Sequence, residues 1–248
     1  MLELLGMNRL LRHMAALAVA ALLLTGGTAL AGGLADIRAG ELAAARDDPA
    51  AAEAAYTRAL ASGELSQNGR ALALNNRGVA RKAQGRPVAA LADYGAALKL
   101  RPDYAQAYYN AAQARMALGQ TWRALANYNQ ALKLRPDYVQ AWHNRGILWC
   151  SVDCYKRGLA DFRRALELRP DFVLAYLNAG HARLLLGQTW RAVANYDQAI
   201  SLRPNLAMAY ARRAEAYKVL GLKDKAQADL ARARELGWNQ ETSDQSSR

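Results

Sequence analysis

Cys150 and Cys154 stand four residues apart in the string CSVDC, and His143, one of three histidines in the chain, precedes them by two helical turns. Thiols and imidazoles at such spacing can bridge, ligate a metal or act as nucleophiles. On a helix, residues four apart keep their Cβ atoms about 5–6 Å apart, whereas a disulfide wants about 3.8 Å. A bridge would therefore need the last helical turn unwound. The pair reads as a possible disulfide, as two free thiols or, more weakly, as a metal site with His143. Dithiol redox catalysis would need CxxC in a strand–helix context, and neither is present. GxGxxG before a helix, GxxxxGK[ST], HExxH and GxSxG are also missing. No catalytic residue, no resident metal and no cofactor are expected, and the chain does not read as an enzyme.

The elements that carry these residues follow from composition and period. The chain has 248 residues, 52% apolar and 22% charged, with only 2 Phe and 6 Pro. That balance describes a folded, all-helical chain rather than a disordered one or a β-sandwich. A formal charge of +12 favours anionic partners or surfaces. The charge is spread along the chain rather than clustered, so nucleic acid is not an expected partner. Residues 1–31 have the layout of a secretory signal: Arg9, Arg12 and His13, the apolar run 14–24, then small residues ending in Ala29-Leu30-Ala31. Cleavage after Ala31 implies an exported, periplasmic protein, with an uncleaved inner-membrane anchor as the alternative. Position 32 is Gly, so no cysteine stands there to take a lipid.

Beyond that segment a period of 34 residues organises the chain. LRPDY occurs at 100–104 and 134–138, LRPDF at 168–172 and LRPNL at 202–206. The frame gives five units, 71–104, 105–138, 139–172, 173–206 and 207–240, the last carrying a polar capping helix. A degenerate unit at 33–66 precedes them, with 67–70 as an insertion, and 241–248 reads as a disordered tail. Large aromatics (Tyr94, Tyr128, Phe162, Tyr196) recur at unit position 24 and small residues (Gly78, Ala112, Gly146, Gly180) at position 8. A small residue lets two helices approach while a ring fills the space beside it, which is how helix pairs stack into a continuous core. Position 7 alternates between Arg and Ala, and position 23 alternates in step between Asp and Asn. The acid occurs only where the base does, which predicts structural ion pairs Arg77–Asp93, Arg145–Asp161 and Arg213–Asp229 closing each helix pair. Asp103, Asp137, Asp171 and Asn205 are expected to cap the helices that follow them.

The 34-residue unit with these positions resembles the tetratricopeptide repeat. The resemblance covers 71–240 and departs from the family pattern at positions 7 and 11. It implies an all-α solenoid, a right-handed superhelix of stacked antiparallel helix pairs, whose first helices line a concave surface through positions 2, 5, 6, 9 and 12. Carried over, those positions nominate Asn76, Asn110, Asn144, Asn178 and Arg212, with Tyr109, His143, Leu177 and Ile147 around them. An amide offers both a donor and an acceptor and so suits the backbone of an extended peptide. Trp122 and Trp190, in the duplicated strings LGQTWRA, together with Tyr155, form a possible aromatic rim; each indole reads more simply as cover for a neighbouring turn. The implied function is an exported scaffold that binds a protein or peptide segment. A basic, envelope-associated structural protein that contacts anionic polymer or lipid is the alternative.

Overall fold

The computed structural model describes residues 32–239; the export signal read at 1–31 and the tail at 241–248 lie outside them. The described chain is all helical and divides after Arg135 into two compact units. The first holds α1 (Gly32–Ala45), α2 (Pro49–Ala61), α3 (Gln67–Ala83), α4 (Pro87–Leu100), α5 (Ala105–Ala117) and α6 (Thr121–Leu134). The second holds α7 (Val139–Cys150), α8 (Tyr155–Leu168), α9 (Val173–Leu185), α10 (Thr189–Leu202), α11 (Ala207–Val219) and α12 (Lys223–Glu235). Within each unit, consecutive helices pack pairwise as hairpins, and each hairpin packs on the next. Among the described residues, no helix is long and apolar enough to cross a membrane.

Close contact sets the hairpin geometry. Tyr94, Phe162 and Tyr196 are fully buried, each ring pressed against the glycine of the preceding helix. A Cβ at Gly78 would stand 2.6 Å from Tyr94 Cε1, so only glycine admits the ring at that distance. The first helices of several hairpins end at glycines with positive φ, such as Gly85 and Gly187. In the hairpin α7–α8 this left-handed place falls to Asp153, at φ 58°, and the Tyr155 hydroxyl donates to its carboxylate.

The inserted residues 67–70 form the first turn of α3, which has 17 residues and which the Ser66 hydroxyl caps by accepting from the Gly69 amide. One local expectation gives way. The expected caps Asp103, Asp137, Asp171 and Asn205 do not cap. The residues before those helices are Tyr104, Tyr138, Phe172 and Leu206, and none makes a side-chain cap bond. Burying the aromatic ring at the helix entry takes precedence: Tyr104 and Tyr138 are buried, and Asp103 and Asp137 turn outward.

The acid–base alternation has a direct structural form. Arg77 donates from Nε and Nη2 to Asp93 (3.1 and 2.7 Å), Arg145 to Asp161 (2.8 and 2.7 Å) and Arg213 to Asp229 (2.8 and 2.7 Å). Where position 7 is Ala, Arg at position 11 takes over. Arg115 Nη1 donates to Asn127 Oδ1 at 3.0 Å, and Arg183 Nη1 to Asn195 Oδ1 at 2.9 Å. Burial pushes the Asp161 carboxyl above its usual range, against the opposing pull of Arg145. Removing one member of such a pair strands the other in a poor solvent for charge. Arg145→Ala is expected to cost about 3–5 kcal/mol. Arg77→Ala costs less, because Arg81 still holds Asp93 at 2.9 Å. Denaturation midpoints of the two variants check the order, and Asp161→Asn in the Arg145→Ala background should recover part of the loss.

Candidate partner-binding groove

Positions 2, 5, 6, 9 and 12 of the first helices share one face, since residues three and four apart lie on the same side of a helix. In the first unit that face belongs to α1, α3 and α5. Between α1 and α3 it opens into a hollow of about 360 Å³ lined by Glu41, Ala44, Tyr56, Asn76, Val79 and Ala83 among others. Glu41 and Val79 escaped the sequence reading, although positions 9 and 12 of unit 33–66 and position 9 of unit 71–104 mark the same face. The Tyr56 phenol, pushed up to about 12 mainly by burial, hydrogen-bonds Asn76 at the floor of the hollow.

The asparagines at position 6 are largely spent inside the protein. Asn110 is buried; its Nδ2 donates to Asn75 Oδ1 at 2.9 Å, and its Oδ1 accepts from Gln106 Nε2 at 3.2 Å. It ties α5 to α3 and is not available to a partner. Asn75 in turn donates to Asn76 Oδ1 at 3.0 Å. The second unit repeats the link with an imidazole: Asn178 Nδ2 lies 3.0 Å from His143 Nε2, and His143 Nδ1 lies 3.2 Å from Asn144 Oδ1. One tautomer satisfies both contacts, with Nδ1–H donating to Asn144 and Nε2 accepting from Asn178. His143 is buried against Phe172 and Phe162, and Leu177 is buried in the core with Val193 and Tyr196. Both are therefore structural rather than partner-facing. Tyr109 is half-buried, its ring edge-on to Tyr128 at 5.8 Å.

The face that remains open combines half-buried amides with exposed aliphatic groups. Asn76, Asn144 and Asn178 are half-buried, while Val79 and Ile147, both at position 9, are 39% and 36% exposed. Arg212 is open at the side chain and pairs with Glu215 at 3.3 Å. His181, also on this face, carries a buried Nδ1 with no partner, and the Tyr196 hydroxyl is unpartnered as well. Trp122 and Trp190 stand 66% and 62% exposed at the starts of α6 and α10. Tyr155 is turned to Asp153 instead.

Cys150 and Cys154 are not bonded to each other. The helix ends at Cys150, and the Cys154 amide closes the turn that follows by donating to the Trp149 carbonyl at 2.9 Å. The Cys150 sulfur instead occupies the space above Gly158, where the other units carry an alanine methyl. Burial, aided by the Asp161 charge, pushes its thiol up to about 11, which makes it a packing group rather than a nucleophile at neutral pH. Among the described residues no group of three potential metal ligands occurs, so His143 and the two cysteines do not form a metal site.

Burial holds His143 below its ordinary value of 6.5. A depressed folded-state value means that the neutral form's contribution to stability is present above the unfolded value and is lost as pH falls through the folded one. Protonation also places a donor on Nε2 against the Asn178 amide. Stability should therefore begin to drop as pH falls below about 7.5 and keep falling until pH has passed the folded-state value. His143→Asn copies the arrangement at Asn75 and should flatten part of that drop, with His181 accounting for more, because burial and Arg212 lower it too. Denaturant midpoints across this range test the assignment; an unchanged profile in His143→Asn refutes it.

The repeats and the fold are shared with known proteins. Family models described as tetratricopeptide repeat match residues 71–104 and 173–206, and one described as TPR repeat matches 112–149. Among curated proteins no sequence match is found. Solved structures of similar fold include MamA, at 23% identity and TM-score 0.62, covering 64% of this chain and 93% of that one. YrrB, titled a TPR protein with an unusual peptide-binding site, aligns at 21% identity and TM-score 0.63, covering 73% and 92%. A tetratricopeptide repeat protein from Parabacteroides merdae aligns at 22% and 0.65, covering 85% and 95%. With its 34-residue units matched in both halves and its helix pairs stacked as in these structures, the chain belongs to the tetratricopeptide repeat family.

Proposed function

We propose that the protein is an exported scaffold that holds an extended protein or peptide segment on the inner face of its first helices, and that it binds this segment without transforming it. The observation that carries the reading is the recurrence, in both units, of an exposed aliphatic side chain at position 9 beside a half-buried amide at position 6: Val79 with Asn76, and Ile147 with Asn144. Such a face offers apolar contact plus hydrogen bonds to a backbone, the combination an extended chain needs. YrrB, whose title names a peptide-binding site, lends support by shared fold. Export to the periplasm rests on the charged, apolar and small-residue layout of residues 1–31.

Photo-crosslinking groups placed in cells at Val79 and at Ile147, with an outward control at Lys133, test the proposal. Discrete adducts from the two inner positions, retained at high salt and missing from the control, are expected. Adducts from Lys133 alone, fading as salt rises, would instead favour contact with an anionic surface through the basic outer face. N-terminal sequencing of the mature protein tests export, with Gly32 as the expected first residue.

A further inference from the structure

The second unit contains two seams built on the same plan, one filled and one open. At the filled seam Arg213 reaches between two carboxylates: Asp229 on its own second helix at 2.7 and 2.8 Å, and Asp197 on the preceding second helix at 2.6 Å. Its guanidinium also lies over the Tyr210 ring, 5.6 Å from the centroid. At the open seam, one repeat earlier, position 7 is Ala179 and the guanidinium is missing. Both of its acidic partners have also changed character. The place of Asp229 is taken by Asn195, and the place of Asp197 by Arg163.

What remains is a hollow of about 330 Å³ between α8, α9 and α10. Its floor is apolar, from Leu159, Leu166 and Ala179, and the Tyr176 ring stands where Tyr210 stands in the filled seam. Its polar lining sets the donors Asn195, Arg183 and Arg163 beside one carboxylate, Glu167, whose charge Arg164 and Arg163 offset. Asn195, 8% exposed, gives its Oδ1 to Arg183, and its buried Nδ2 has no partner. Arg183 spends Nη1 on Asn195 and on the Arg191 carbonyl, and burial beside Arg191 disfavours its charge. Arg163 is 77% exposed at the side chain, and its nearest acid, Glu167, lies 3.9 Å away and bonds Arg164 at 2.9 Å. The equivalent aromatics Trp142 and Tyr210 donate to the carbonyls of Pro136 and Pro204, whereas Tyr176 makes no such bond.

The filled seam is a cation held by anions; the open seam has lost the cation and reversed its surroundings. We propose that the hollow at Ala179 binds a carboxylate on a small apolar body, its oxygens accepting from Asn195 Nδ2 and the guanidinium groups of Arg183 and Arg163 while the apolar part rests on Leu159 and Leu166. The volume lies within the range of small-ligand sites, and a carboxylate is the natural acceptor for convergent amide and guanidinium donors. Positions 4, 7 and 11 lie half a helical turn away from positions 6 and 9, so this site faces away from the inner groove and is independent of what the groove holds. The carboxylate can come from a free organic acid or from a glutamate side chain of a partner.

Titration of the full chain with benzoate to about 10 mM, a range suited to weak binding, followed by the Asn195 side-chain amide resonance, tests the site. Benzoate should shift that resonance and the neutral isostere benzamide should not. The double variant Ala179→Arg/Asn195→Asp restores the Arg–Asp pair of the filled seam from the protein's own pattern, with Arg163 left in place. It should keep the wild-type helical spectrum and melting point or better, and bind benzoate at least about tenfold more weakly. Asn195→Asp alone, which adds a negative charge, should also weaken binding. An end-blocked pentapeptide with one central Glu separates the sources. Displacement of benzoate assigns a partner's glutamate, and failure to displace it assigns a free acid. No shift at Asn195, equal shifts with benzamide, or equal binding by the refilled variant would overturn the proposal.

Discussion

The contact on which the rest depends is an aromatic ring pressed against a glycine. Tyr56, Tyr94, Phe162 and Tyr196 each lie on the small residue of their hairpin partner at distances that leave no room for a methyl group. Tight packing of this sort carries much of the dispersion and hydrophobic stabilisation available where each helix hairpin packs only on its neighbours. It also has a geometric consequence. A tyrosine driven through the hairpin delivers its hydroxyl toward the inner face: Tyr56 meets Asn76 there, and Tyr128 meets Met116 at 3.2 Å. Where no such acceptor is supplied, as at Tyr94 and Tyr196, the hydroxyl is left without a partner. The core thus sets the polarity of the groove floor from beneath.

On the other side of the same helices, the choice at position 7 governs the seams. Arg there is long enough to bond its own hairpin and the preceding one, as Arg213 does with Asp229 and Asp197. Ala removes that reach, and the shorter circuit from Arg183 to Asn195 closes only one hairpin. A buried carboxylate without its guanidinium would be costly, which accounts for the change of Asp to Asn in step with Arg to Ala. The amide avoids the charge but brings a donor that the seam does not use.

Features fixed by a period are legible in the amino-acid sequence. The spacing of LRPDY, the ring and glycine at positions 24 and 8, and the coupled changes at 7 and 23 are all repeated, and repetition exposes them. Features decided by competition between neighbours are not legible there. Asp103 has the chemistry of a helix cap, but burial of Tyr104 turns it away. Asn110 has the position of a groove residue, but Asn75, at position 5 of the preceding repeat, draws it inward. Arg115 and Arg183 do occupy a repeat position, and their role is obscured because position 11 also holds Arg81, Trp149 and Tyr217, where other partners are used. Cys150 and Cys154 illustrate the same limit: spacing permits several chemistries, and the space above Gly158 selects packing.

The in-house use of polar groups constrains how the groove can bind. An Asn110 already bonded at both ends adds nothing to a partner, and His143 is occupied from both nitrogens. On the proposed function, a segment held on either unit would gain most of its affinity from aliphatic contact, at Val79 in the first or at Ile147 in the second, with amides such as Asn178, whose nitrogen is committed to His143, offering a carbonyl acceptor to backbone N–H groups. Aliphatic contact is weakly selective, and a fixed acceptor discriminates only against chains that cannot donate, proline at that point being the clearest case. The rigidity of those amides works in the other direction, because groups already held by neighbours lose little entropy when a partner arrives. On the proposed function, the same links that withdraw Asn110 and His143 from recognition thus preorganise Asn144 and Asn178 for it.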